Sequence, residues 1–102
     1  MVDLKMHDFA IGIPYSGCEY KSILPCTRED EAVAIAAGAA ITGKRPFVFM
    51  QNSGLGHCVD IITSLLKPYD IKINFAIHHR FQPEHHRFMG EIDHGLIGLL
   101  GI

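Results

Sequence analysis

Behind three acidic side chains, Glu29, Asp30 and Glu31, the chain runs from Ala32 to Thr42 without a single charge. A helix on a protein surface keeps one polar face along its length, and this stretch has none. Ala32, Ala34, Ala36, Ala37, Ala39 and Ala40 make it slim enough for close backbone approach, while Val33, Ile35 and Ile41 leave it apolar around most of its circumference. In a chain of 102 residues a helix buried on all sides takes part of its cover from a second chain, so an oligomer is expected. Thr27 stands as the expected N-cap, and the acidic side chains suit the positive end of the helix dipole. Gly43, followed by Lys44, Arg45 and Pro46, is the expected stop.

The rest of the chain alternates around this helix. Residues 9–13 form an apolar run closed by Pro14, Ser16 and Gly17, read as a strand entering a turn. Residues 22–26 are read as a second short strand. Residues 47–50 are apolar throughout, as in an interior strand covered on both faces. Residues 57–66 have helical character, residues 71–77 alternate as a strand, and the polar segment 78–87 leads to a helix over residues 96–100, with Met89 and Ile92 as earlier apolar contacts. Strands alternating with helices predict an α/β fold: a three-layer sandwich with a mostly parallel sheet, as one domain over residues 1–102.

Composition narrows the function classes. The apolar fraction is 48%, mean hydropathy is +0.18 and net charge is -2 without a basic stripe, which argues against nucleic-acid binding. There is no run of 18 apolar residues for a membrane span, and Asp3, Lys5 and Asp8 argue against a secretory signal, so a cytoplasmic protein is expected. Cys18, Cys26 and Cys58 form neither a CxxC knuckle nor a disulfide framework and are expected to be buried free thiols.

Two segments carry candidate chemistry. QNSGLG sets a GxG turn between a strand and a helix, where open α/β sheets bind ligands, with Asn52 and Ser53 as donors. It matches neither the GxxxxGK[ST] nor the GxGxxG phosphate pattern. Glu29 lies at the carboxyl end of the preceding strand, on the same sheet edge. It reads either as a capping acid or as a carboxylate in a dry site that shares a proton with a ligand nitrogen. His78, His79, His85, His86 and His94 cluster with Glu84, Glu91 and Asp93, a composition that suits a transition metal; their spacing matches no metal motif, and no metal site is expected.

REDEAVAIAAGAAITGKRP, followed by a strand and QNSGLG, resembles the pyrimidine-binding domain of thiamine-diphosphate enzymes, and within them sulfopyruvate decarboxylase alpha subunits and phosphonopyruvate decarboxylases. The resemblance spans residues 9–102. It implies a 2-oxo acid decarboxylase using thiamine diphosphate and Mg2+. Glu29, nine residues before Gly38, matches the glutamate that contacts the aminopyrimidine ring. Asn52, Ser53, Gly54, Leu55 and Gly56 match the turn beside the cofactor, with Leu55 where many relatives have proline. His79, Arg80, His86 and Arg87 fall in the loop that would face a small anionic 2-oxo acid. The GDG motif that holds diphosphate and magnesium is absent, so the resemblance implies a beta-type partner subunit that carries it. The domain would also lack its usual first helix and its final strand and helix. Those omissions, with His57 and Asp60 at positions where relatives carry asparagine, motivate a non-catalytic structural or regulatory partner as an alternative. The histidine cluster motivates a small metal-binding protein as another.

Overall fold

Strands β1 (Phe9–Gly12), β2 (Pro46–Gln51) and β3 (Asn74–His78) form one parallel sheet in the order β1-β2-β3. The computed structural model describes residues 7–102, so Asp3 and Lys5, read above against a signal, lie outside the described residues. Helix α1 (Glu29–Ile41) crosses from β1 to β2. A 3-10 turn (Asn52–Gly54) and helix α2 (Leu55–Ile61), extended by a π-helical turn (Ile62–Leu66), cross from β2 to β3. A second 3-10 turn (Glu84–His86) leads into helix α3 (Arg87–Leu100). No helix among the described residues is long and apolar enough to cross a membrane.

Strand alternation divides the sheet into two unlike faces. Ile11, Val48 and Met50 share an apolar cluster with Ala32, Val33, Ala36 and Ala37 of α1, Leu55 and Cys58 of α2, and Leu100 of α3. Phe47 and Phe49 point the other way, where the Tyr20 ring lies 5.1 and 5.3 Å from theirs. Helices thus cover one face of the sheet and the irregular 13–28 connection lies on the other, so the expected three-layer sandwich lacks a helical layer there. Pro14, Pro25 and the left-handed Gly17 (φ 80°) interrupt that connection, and the Tyr20 ring does the covering instead of a helix. As the middle strand, β2 is buried from Pro46 to Met50, in keeping with its uniformly apolar sequence.

Four local expectations need correction. Residues 22–26 make no strand: Ser22 Oγ accepts from Gly12 N (3.1 Å) and donates to Leu24 O (2.5 Å), while Ile23 N donates to Ala10 O (2.9 Å). These bonds pin the segment beside β1 without a ladder, and Pro25 has no N–H to extend one. The third strand starts at Asn74, after a left-handed turn at Asp70 (φ 52°). Helix α3 begins at Arg87, nine residues before its apolar run, because the stretch ahead of Leu96 carries Gly90 and Gly95, which weaken the helical signal. Cys58 is buried as expected, but Cys18 and Cys26 are only half-buried, with their thiols donating to Tyr20 O and Leu24 O.

Helix α1 has the bounds its sequence implies, but a different cap. Arg28 occupies the N-cap position with extended backbone, and Thr27 instead donates its N–H to Glu31 Oε1 (2.7 Å). Only one side of α1 is covered within the chain. Ala34, Gly38 and Ile41 face outward, with Ile41 69% exposed.

Candidate functional site

In a parallel sheet with helical crossovers, the helix N-termini and the carboxyl ends of the strands meet at one edge. Here that edge collects Glu29 at the start of α1, the Asn52–Gly54 turn after β2, and His79 and Arg80 just past β3. Gly54 is buried, and the space a side chain would fill belongs to Glu29: a Cβ there would lie 2.7 Å from Oε2. Glu29 is itself half-buried. Cys58, one helical turn on, donates its thiol to Gly54 O (3.5 Å). Burial first, then the charges of Glu29 and Asp30, push that thiol up to about 12.

On the other side of the same turn, Asn52 is fully buried. Its Nδ2 donates to Arg80 O (2.8 Å) and to Asp93 Oδ2 (2.8 Å), two acceptors that fix the amide orientation. Its Oδ1 is buried with no hydrogen-bond partner. Asp93, 1% exposed, also accepts from His79 Nδ1 (2.5 Å) and from the backbone N–H of His94 (2.8 Å). Burial alone would raise this carboxyl, but the bonds from His79, Asn52 and His94 outweigh it and hold Asp93 below the ordinary carboxylate range. The His79 and His94 rings stack with centroids 4.8 Å apart.

The remaining sequence-derived residues fall at varying distances from this centre. Ser53 Oγ accepts from Gln51 Nε2 (2.6 Å). Leu55 is buried in the core and Gly56 is exposed near Met89. Arg80 directs one guanidinium nitrogen at Gln51 Oε1 (3.3 Å) and another at Gln82 O (3.5 Å). His86 is buried, and desolvation, followed by the neighbouring His85 and Arg80, keeps it less basic than usual. Arg87 points away along α3, paired with Glu91 at 3.2 Å. Asp60 accepts from Ser64 Oγ (2.9 Å) on the exposed side of α2, so this carboxylate makes no hydrogen bond with the Asn52–Gly56 turn.

A cavity of about 530 Å³ opens beside this edge, between α1 and α2, with Ala34, Ile61 and Leu65 as apolar lining and Arg28, His57 and Asp60 as polar lining. Arg28 and His57 bridge its two walls at 3.0 Å. Sequence reasoning overlooked Asp93 as a central residue. Within its own segment it is one acid among several, and only the return of α3 over the turn brings it to Asn52.

No protein-family model matches the chain. Over 57 residues it is 46% identical to the sulfopyruvate decarboxylase alpha subunits of Methanothermobacter thermautotrophicus and Methanocaldococcus jannaschii, matches covering 56% of this chain and 34% of each relative. Over 81 residues it is 38% identical to the phosphonopyruvate decarboxylase of Streptomyces viridochromogenes, covering 74% of this chain and 20% of that protein. The chain thus spans about a third or less of the length of these curated relatives.

Proposed function

From its homology, over part of its length, to sulfopyruvate and phosphonopyruvate decarboxylases, we propose that this chain supplies the pyrimidine-binding half of a thiamine-diphosphate-dependent 2-oxo acid decarboxylase. In this reading the three-stranded parallel sheet and its helices belong to a pyrimidine-binding domain, and the protein is an alpha-type subunit acting on sulfopyruvate or phosphonopyruvate. The observation that carries the reading is the contact of Glu29 with Gly54. It joins the two segments whose sequences carry the resemblance.

The residues present fit one end of the cofactor. An aminopyrimidine ring offers a basic ring nitrogen and an exocyclic amino group. Glu29 provides a half-buried carboxylate at a helix N-terminus for the ring nitrogen, and the side-chain-free Gly54 beside it leaves room for a flat ring to approach. The diphosphate end finds no match, since no GDG motif is present. A beta-type subunit would supply that motif and most of the Mg2+ coordination, with the site closing between chains.

When bound, thiamine diphosphate supplies the carbanion-stabilising chemistry of decarboxylation. The task left to this chain is to bind, orient and handle protons. Glu29 would hold a proton against the pyrimidine ring nitrogen, with the buried Cys58 close to it on the side away from solvent. The missing side chain of Gly54 leaves its carboxylate room. Arg80, whose two terminal guanidinium nitrogens already donate once each to Gln51 and Gln82, keeps its remaining N–H donors for the carboxylate and the sulfonate or phosphonate of the acid. His79 adjoins it in the chain, and His86 is near enough to feel the Arg80 charge. Arg87 would join them only by leaving Glu91.

The test is to combine the protein with its candidate beta-type subunit, thiamine diphosphate and Mg2+, and to measure carbon dioxide release from sulfopyruvate and phosphonopyruvate. Activity should require both chains, and Glu29→Gln should lower it by roughly 100-fold or more, the scale of a positioned acid–base group. A well-formed complex that stays inactive, unaltered by Glu29→Gln, would instead support a structural or regulatory partner.

A further inference from the structure

Two exposed imidazoles and one buried carboxylate meet where β3 ends and α3 passes over it. One ligand atom from each of His79, Asp93 and His94 lies within 4.8 Å of the other two. We propose that these three side chains form a binding site for a divalent transition-metal ion of the zinc type, a site that stands whether or not the decarboxylase reading does.

Asp93 is the fixed point. It is 1% exposed, and its ion-pair partner among the described residues is the His79 imidazole, so no lysine or arginine neutralises it there. A buried carboxylate in that position favours a cation in contact with it. Both of its oxygens are oriented by N–H groups that would not touch the metal: Asn52 Nδ2 holds Oδ2, and the backbone N–H of His94, whose ring is the proposed ligand, holds Oδ1, each at 2.8 Å. Metal sites commonly use such outer hydrogen bonds to aim a ligand.

The imidazoles are the adjustable part. His79 and His94 are both exposed and can turn about their side-chain torsions. With bonds of about 2.0–2.2 Å, tetrahedral zinc places its ligand atoms about 3.4 Å apart, so the present spread closes with a modest rotation of either ring. His79 already directs Nδ1 at Asp93 Oδ2, and an ion would take the place of the proton between them. Two nitrogens and one oxygen suit zinc, cobalt or nickel better than magnesium or calcium. Three protein ligands on a solvent-facing edge leave a fourth position for water or an anionic ligand oxygen, as in open zinc sites. Arg80, the next residue after His79, donates to Gln51 close by.

The probe is Co2+, added to tag-free protein stripped with EDTA, followed by its visible absorption and by equilibrium dialysis. One equivalent should bind with the intense visible bands of a four-coordinate ion, and Zn2+ should displace it. His79→Ala and His94→Ala should each weaken binding at least tenfold, whereas His85→Ala should leave it unchanged. Absence of stoichiometric binding overturns the site, as does binding that survives both substitutions or depends on His85. Should a variant fold poorly, NMR of the wild-type imidazoles under Zn2+ decides: shifts confined to His79 and His94 uphold the site, and shifts elsewhere or none overturn it.

Discussion

Glu29 occupies the space that a side chain on Gly54 would need, with Oε2 2.7 Å from where a Cβ would stand. The backbone at Gly54 is ordinary (φ -75°), so the glycine is required by the close approach and by nothing in the turn's own conformation. Gly54→Ala should therefore fold with a loss of about 1–2 kcal/mol, because the added methyl meets Glu29 Cγ first and clearing it takes a new χ1 rotamer for that side chain. Under the proposed function, thiamine diphosphate affinity in a complex with the beta-type subunit should fall at least about tenfold. Calorimetric titration beside a urea melt separates the two effects. Gly12→Ala makes the opposite case: the obstacle there is the Phe49 backbone carbonyl, which cannot move, and the loss should be about 1–3 kcal/mol or more.

Cys58 should be the slow thiol. Burial, and then the Glu29 charge, raise it from 9.0 to about 12, so the neutral form is favoured in the folded chain. At pH 8 a disulfide reagent should label Cys18 and Cys26, both half-buried, well before Cys58. Because the folded value lies above the unfolded one, this thiol's contribution to stability is complete below pH 9.0 and is lost as pH rises towards about 12. Timed labelling with and without denaturant, and melts over that range, check both statements.

Asp93→Asn should destabilise the chelator-treated protein by about 1–3 kcal/mol at pH 7, since an amide donor would then face the Asn52 donor. The wild-type carboxyl is held below its ordinary value of 3.8, so its contribution is present above that pH and is lost as pH falls through the lower folded value. Unfolding at pH 7, 5 and 3 should show a gap between wild type and variant that is full at the first two and narrows at the last.

The alanines of α1 should not be equivalent. Ala36 is fully buried against the sheet, and Ala36→Leu should cost about 1–3 kcal/mol through overpacking. Ala34 is exposed and lines the cavity of about 530 Å³, so Ala34→Leu should change stability by no more than about 0.5 kcal/mol. Urea denaturation of the two variants under one set of conditions makes the comparison. Light scattering of Ala34→Leu would also show whether the outward face of α1 is a seam, since a bulky group there should loosen association.

Elements with an uninterrupted local signal were legible from the residues. The bounds of α1 follow from its charge-free run, the acids before it and the glycine after it, and the buried middle strand follows from four consecutive apolar residues. Helix α3 was half hidden, because glycines dilute a periodicity that only packing of Leu96, Ile97 and Leu100 makes worthwhile. The 22–26 segment misled because its apolar composition matches a strand, while the bonds it forms were decided by Ser22 and Pro25 against β1.

By itself, the sequence determined the alternation of strands and helices, the slim apolar helix, and the two motifs around Glu29 and Asn52–Gly56. Those properties depend on neighbours a few residues apart, which composition and period report directly. Tertiary structure alone decided that Glu29 meets Gly54, that Asn52 reaches Asp93 and that His79 and His94 converge on the same carboxylate. Partners separated by 25 and 41 positions leave no spacing rule in the chain. Their meeting follows from crossover helices that return the chain to the same edge of a parallel sheet.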